Sequence, residues 1–461
     1  MAQNQLSLLN KRRFLPLFLT QFLNAFNDNA FKNSLVILIT YIAADKSGVD
    51  PQILVTAAAG IFILPYFLLS ATAGQVADKY ERSMLIRHIK KIEILLMVAA
   101  SVAFVYESVW MLMCVLFFMG VQSTFFGPLK YTVLPQHLDD NELIAGNAMV
   151  SAGTFIAILL GTIIGGLLIL AEINVPLLSA WTNGQIRGGV LLVSLLTISV
   201  AILGWLASRA IPNAPASMPE LKISWNIPRE TWRIVNFARE KEDVFLAIIG
   251  ISWFWLVGAT FLAQFPNFAK VTLGADETVV TFFLTMFSVG IAIGSLLCNR
   301  LLKGIVSGVY APIGAVGMAV FTVLLYWVSH DYTPAPQNSL MGFMDFVSDS
   351  ANWSIIGCLL GVSIFGGIYV VPLYAIMQSR SPNEHRARII AANNVMNALF
   401  MVVSALASTA MLATGMEVTT VFLSIGLVNL PVAYIVRKIV IIQRAKIREK
   451  IYAEKIAPDN S

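Results

Sequence analysis

The chain alternates long apolar runs with short polar stretches, and the runs fall at 14–43, 54–77, 91–107, 110–134, 143–171, 188–209, 244–270, 278–300, 305–329, 352–377, 388–414 and 417–441. A bilayer core about 30 Å thick needs roughly 20 helical residues per crossing, and each run approaches or exceeds that length. The runs are continuous, without the two-residue alternation of a membrane barrel. The pattern therefore predicts an all-α polytopic membrane protein with twelve transmembrane helices.

Charge adds direction to this picture. With twelve crossings both ends of the chain share one side, and that side collects Arg82, Arg87, Lys90, Lys91, Arg209, Lys222, Arg229, Arg233, Arg239, Arg380 and Arg388. The opposite loops hold only Lys46, Arg187 and Lys270. By the positive-inside rule both termini are expected in the cytoplasm. The first run is flanked by Lys11, Arg12 and Arg13 with no small-residue cleavage site, so it reads as a retained span.

Two halves are expected. Residues 1–209 form an N-terminal six-helix bundle and 244–441 a C-terminal one, joined by a cytoplasmic linker at 210–243 and followed by a basic tail at 442–461. The linker begins Pro/Ala-rich and continues as a basic amphipathic stretch with Trp225 and Trp232, suited to the membrane surface. Internal similarity supports duplication: LIAGNAMVSAGTF from Leu143 resembles IIAANNVMNALF from Ile389, and GPLKYTVLPQ from Gly127 echoes VPLYAIMQ from Val371.

Composition narrows the function classes. Of 461 residues, 57% are hydrophobic and 12% charged, which excludes a soluble globular protein. The net charge of +5 follows from loop clustering, so no nucleic-acid partner is implied. Cys114, Cys298 and Cys358 lie far apart inside apolar runs and read as small core residues, with no disulfide framework and no metal site. His88, His137, His330 and His385 each lack an aspartate five residues on, and no phosphate-binding glycine loop is present. Neither catalysis nor a cofactor is expected.

The exceptions to apolarity carry the candidate chemistry. In QFLNAFNDNAFKNSL the residues Asn24, Asp28 and Lys32 recur every fourth position and share one helical face. Asp28 lies about 21 Å into the first span at 1.5 Å per residue. An acid at that depth is costly and should meet a cavity or a partner: Lys32, Lys130 or a ligand. Lys130, in FFGPLKYTVL, either demands such a partner or reaches the headgroups, and Tyr374 stands at its counterpart in the second half. That half offers Gln264, Asn267, Asn393, Asn394 and Asn397, together with Trp253, Phe254, Trp255, Phe261, Phe265, Phe268, Phe365 and Tyr369. These aromatics either line a chain-binding slot or simply pack. Charge on one side and aromatics on the other suit an amphipathic substrate.

The loop GQVADKYERSMLIR spaces Gly74, Asp78 and Arg82 by four, giving a close helix approach and a breakable ionic clasp that would gate the bundles. It resembles the G-x-x-x-D-x-x-x-R loop of the major facilitator superfamily; the second half keeps only Gly294, Asn299, Arg300 and Lys303. QFLNAFNDNAF, GQVADKYER, GPLKY, GNAMVSAGTFIAILLG and GGIYVVPLYAIMQ are, taken together, similar to the bacterial lysophospholipid transporters of that superfamily. The likeness is strongest to the transporter portion of longer proteins that also carry acyltransferase and acyl-carrier-protein synthetase domains.

The resemblance implies a major facilitator fold and transfer of lysophospholipids such as lysophosphatidylethanolamine from the outer to the inner leaflet of the bacterial inner membrane. Transfer would proceed by alternating access without nucleotide hydrolysis, with sideways entry from the bilayer and reacylation by a fused or separate enzyme. Asp28 and Lys130 match charged positions of the family pattern. The chain departs from it in GATFLAQFPNF, where Leu262 stands near an arginine of some relatives and Gln264 lies close by. Two other readings stay open on the residues alone: a proton-coupled exporter in which Asp28 titrates, and a non-transporting platform that docks an acyltransferase through the tail from Arg437.

Overall fold

The computed structural model describes residues 5–42, 51–171, 188–330, 332 and 340–456. Within them the chain forms α1 (Leu15–Ile37), α2 (Pro51–Lys79), α3 (Arg82–Val105), α4 (Val109–His137), α5 (Leu143–Ile169) and α6 (Gly188–Arg209). A short α7 (Ile227–Arg239) follows. Next come α8 (Glu242–Asn267), α9 (Glu277–Leu302), α10 (Ala311–His330), the short α11 (Phe343–Ser348), α12 (Trp353–Arg380), α13 (Arg386–Ala413) and α14 (Val418–Ile456).

Ten of the described helices are long and apolar enough to cross a membrane. Two others, α1 and α3, are not among the ten for a shared physical reason: each carries polar or charged side chains that other helices cover. α1 is sheathed by α5 and α6, and α3 by α4 and α6. With these two, twelve long helices form two six-helix bundles, α1–α6 and α8–α10 with α12–α14. Lys46 and Arg187, two of the three cations assigned to the far side, lie outside the described residues.

Local signals set the helix ends. The Glu81 side chain caps α3 by accepting from the Ser83 and Met84 N–H groups, so that helix starts at Arg82 and not near 91 as its apolar run suggests. Asp276 caps α9 through the Thr278 N–H, and Lys303 and Gly304, both at positive φ, end it. α14 continues past the expected span and carries the described part of the tail as helix.

Small residues bring helices together. A Cβ at Gly161 would sit 2.3 Å from the Phe26 carbonyl oxygen, and one at Gly165 would sit 2.4 Å from that of Ala30. That contact lets Ser34 donate to the Gly165 carbonyl at 2.9 Å and Asn33 to that of Thr162 at 2.7 Å. Asn29 instead donates within α1, to the Ala25 carbonyl. Cys298 and Cys358 are buried, whereas Cys114 is exposed on the surface of α4, where an apolar thiol is compatible with lipid.

Among the described residues, the hydrogen bonds between bundles lie at one end. Asp78 receives Arg388 and the Ala387 N–H; Asn147 and Gln378 exchange amide bonds at 3.0 and 2.7 Å; and Ser295 meets Ser151 at 3.2 Å. This is the end at which α2, α9 and α12 finish and α5 and α13 begin, and the molecule is closed there.

Candidate functional site: a charged cavity between the bundles

A cavity of about 310 Å³ lies between the bundles. From the first bundle α1 contributes Gln21, Asn24, Asp28 and Lys32, α2 contributes Phe62 and Tyr66, and α4 contributes Ser123, Lys130 and Tyr131. From the second come Trp255, Tyr374, Asn394 and Asn397. The four-residue spacing of Asn24, Asp28 and Lys32 does place all three on one wall.

Asp28 is 6% exposed and is not ion-paired. Its Oδ2 accepts from Asn24 Nδ2 at 3.0 Å and from Ser123 Oγ at 2.7 Å, while its Oδ1 has no hydrogen-bond partner. Neither lysine of the cavity lies within ion-pairing distance. The Lys32 ammonium sits 4.3 Å from the centre of the Phe62 ring, and that of Lys130 sits 4.9 Å from that of Tyr131. One carboxylate oxygen and two ammonium groups therefore have bonding capacity to offer a ligand.

Behind Asp28 lies a polar hub that the sequence pattern misassigned. Lys90, counted there among the cytoplasmic charges, is fully buried and ion-paired with Glu93. It also donates to Asn24 Oδ1 at 3.1 Å. Gln122 donates to the same oxygen at 2.9 Å and to Glu93 at 3.2 Å, and Asn27 donates to Glu93 at 2.9 Å. The i, i+3 spacing of an opposite pair was the available signal; assigning the start of α3 to residue 91 hid it.

The second bundle supplies an aromatic and amide wall. Tyr374 stacks on Tyr131 across the bundles, ring centroids 4.7 Å apart, and accepts from Trp255 Nε1 at 3.0 Å. Ser252 donates to Asn397 at 2.9 Å. Three expected residues do not line the cavity. Tyr369 is fully buried against Gly250 and Gly314, and lies five residues, or about 140°, around α12 from Tyr374. Gln264 lies nine residues from Trp255, about 180° around α8. Asn393 is buried beside the lining Asn394 and next to Tyr374, behind the cavity wall.

The proposed aromatic slot also resolves. Phe261, Phe265 and Phe268 pack with Phe283, Phe287 and Phe422, the Phe261–Phe422 centroids 4.4 Å apart, as the interior of the second bundle. Phe365 stacks on Phe321. Of the eight aromatics considered, Trp255 reaches the cavity.

At the closed end Asp78 is the centre of a clasp. Its Oδ2 accepts from Arg388 Nε at 3.0 Å, and its Oδ1 accepts from Ser217 at 3.0 Å and from the Ala387 N–H at 3.2 Å. Arg82 Nη2 approaches Oδ1 at 3.5 Å and also bonds Ser217, while its Nη1 reaches the Pro215 carbonyl. Gly74 permits the approach: a Cβ there would lie 2.8 Å from Ala391 Cβ and 2.9 Å from Arg388 Cα. Among the described residues no group of His, Cys, Asp and Glu has the geometry of a metal site.

Two six-helix bundles, a polar cavity between them and an ionic clasp at one end are the architecture of a membrane transporter. The chain belongs to the Major Facilitator Superfamily, whose sequence pattern matches residues 17–405. Among its relatives, Lysophospholipid transporter LplT of Escherichia fergusonii is 26% identical over 365 residues, covering 78% of each chain. In fold the chain is similar to a bacterial homologue of the iron transporter ferroportin in an outward-facing state (TM-score 0.65, 14% identity, 94% of this chain and 100% of that one). It is likewise similar to the E. coli transporter FucP in the outward conformation (TM-score 0.68, 12% identity, 93% and 99%).

Proposed function

We propose that the chain is a lysophospholipid transporter that moves lipids of the lysophosphatidylethanolamine type from the outer to the inner leaflet of the bacterial inner membrane, with both termini cytoplasmic. The observation that carries this reading is the cavity's charge set. Asp28, whose Oδ1 has no hydrogen-bond partner, lines with Lys32 and Lys130 a space whose wall also carries amides, hydroxyls, aromatic and aliphatic side chains. A zwitterionic headgroup complements that set, its phosphate toward the lysines and its amine toward Asp28 Oδ1. Tyr374, Asn394 and Asn397 face the same space from the second bundle, and Phe62, Phe126, Ile158 and Met401 offer apolar wall to an acyl chain.

The relative named as a lysophospholipid transporter supports the substrate class. In this reading the bundles rock about the cavity, and the Asp78–Arg388 bond beside Gly74 breaks as the closed end opens, while Arg82 holds Asp78 from within its own bundle. Lipid delivered to the inner leaflet would be reacylated by an acyltransferase partner, with an acyl-carrier-protein synthetase supplying the acyl donor, and that consumption would give the transfer its direction.

The test is transfer of labelled lysophosphatidylethanolamine in proteoliposomes. The account expects transfer by the native chain and its loss in Asp28→Asn and in Lys130→Ala; intact transfer in both removes the proposed headgroup site. One observation favours a second reading: an unpartnered buried carboxylate oxygen is also a place for a proton, as in a proton-coupled exporter. Collapse of the proton gradient would stop such an exporter and leave downhill lipid transfer running.

A further inference from the structure

The linker helix α7 turns two different faces to its surroundings. Glu230, Ile234 and Ala238, four residues apart, are buried on one side against α2 and α13. Arg229, Trp232 and Asn236 are exposed on the other, Arg233 is exposed at the border, 3.7 Å from Glu230 and 5.4 Å from the Phe237 centroid, and Trp225 and Lys222 just before the helix are exposed as well. Trp225 is 75% and Trp232 63% exposed. The helix rests where α2 ends and α13 begins, which is the closed end of two membrane-crossing helices and hence the level of lipid headgroups. Indoles and guanidinium groups at that level fit an anionic lipid surface.

The buried side of α7 reaches the clasp. The Phe237 ring stacks on that of His385, centroids 4.5 Å apart and planes 1° from parallel, and the Arg388 guanidinium lies 5.2 Å from the Phe237 centroid. Arg388 is the residue that bonds Asp78 across the bundles. The chain leading to α7 is stitched to the same place: the Ala214 N–H donates to Glu81, Ser217 to Asp78, the Met218 N–H to the Asp78 carbonyl, and the Ser224 N–H to Gln75. Whatever holds α7 in place thus also holds the partners of the clasp.

We infer that the exposed face of α7 binds anionic phospholipid headgroups of the surrounding bilayer, and that this binding stabilises the state closed at the clasp. Phe237 is the positioning residue that transmits the effect to Arg388. The inference is independent of the transported substrate, because closure is measurable without any transport.

Closure can be read as cross-linking of Ser151→Cys with Ser295→Cys in a full-length chain whose three native cysteines are replaced by alanine. The protein is reconstituted in vesicles of phosphatidylethanolamine with or without phosphatidylglycerol. Cross-linking should rise with phosphatidylglycerol. In Arg229→Gln/Arg233→Gln the rise should vanish, and phosphatidylglycerol retained by the purified protein should fall about fivefold per arginine. Trp232→Ala, which leaves both charges in place, tests the same face should that double variant misfold, and should weaken retention.

Phe237→Leu should keep the lipid but lose its effect on closure. Cross-linking indifferent to phosphatidylglycerol overturns the inference, as does a native response in the arginine variant. A native response in Phe237→Leu overturns the route through Arg388. A response that requires an added soluble protein instead of phosphatidylglycerol assigns the face to a protein partner and also overturns it.

Discussion

Asn24 Nδ2 donates to Asp28 Oδ2 at 3.0 Å, and the carbonyl of the same Asn24 amide accepts from Lys90 and Gln122. The polarity of that one amide is therefore fixed from both sides, and Asp28, which lines the cavity, keeps an Oδ1 without a protein partner. Asn24→Leu, close in volume, removes the donor and should weaken substrate binding about tenfold, the value of one charge-assisted hydrogen bond. The measurement is a KM for lysolipid transfer alongside a melting curve; an unchanged KM in a folded variant contradicts this role.

The Lys90–Glu93 pair should behave as a buried ion pair with extra hydrogen bonds. Lys90→Met leaves the Glu93 carboxylate buried without its counter-ion and should destabilise the protein by about 3–5 kcal/mol. Adding Glu93→Leu to that variant should recover most of the loss. Thermal unfolding in detergent checks both, and equal stability of the single and double variants would show that the pair is not coupled.

Much of the architecture could be read from the pattern of apolar runs, because spacing alone dictates how often a chain can cross a bilayer. Where the pattern misled, one helix was responsible in large part. α3 carries Arg82, Arg87, Lys90, Lys91 and Glu93, so its apolar run begins late, and Lys90 was counted with the loops although it lies in the protein interior. A hydropathy profile cannot distinguish a charge in water from a charge covered by other helices.

In the site, the first bundle was legible because Asn24, Asp28 and Lys32 obey helical periodicity. The second bundle was less so: Tyr369, Gln264 and Asn393 were chosen by residue type, and α12 and α8 turn the first two away from the cavity while Asn393 stands behind Tyr374. Periodicity already placed Tyr369 and Tyr374 on different faces of α12.

Gly74 should tolerate no side chain in the closed state. A leucine there would press on the Arg388 backbone and on Ala391, neither of which can yield cheaply. Gly74→Leu should abolish the cross-link between Ser151→Cys and Ser295→Cys, while melting stays cooperative. Undiminished cross-linking would mean that the bundles can close without this contact.

The α3 cap makes a pH prediction. Burial pushes the Glu81 carboxyl up, but hydrogen bonds from the Ala214 N–H, the Ser83 hydroxyl and the Met84 and Ser83 N–H groups outweigh it and hold the group below its ordinary value of 4.5. Its stabilisation is therefore present above the ordinary glutamate range and is lost as pH falls through the lowered value. Glu81→Ala should cost about 1 kcal/mol at neutral pH and flatten the acid limb of the Tm–pH curve. Parallel acid limbs in the native chain and the variant would contradict the assignment.

The central claim is that Asp28 and Lys130 hold opposite ends of one lipid headgroup, and leaflet transfer of labelled lysophosphatidylethanolamine in proteoliposomes tests it most directly. Native chain should transfer the lipid, and Asp28→Asn and Lys130→Ala should each reduce transfer about tenfold or more while melting as the native protein does. Transfer at the native rate in both folded variants would contradict the claim.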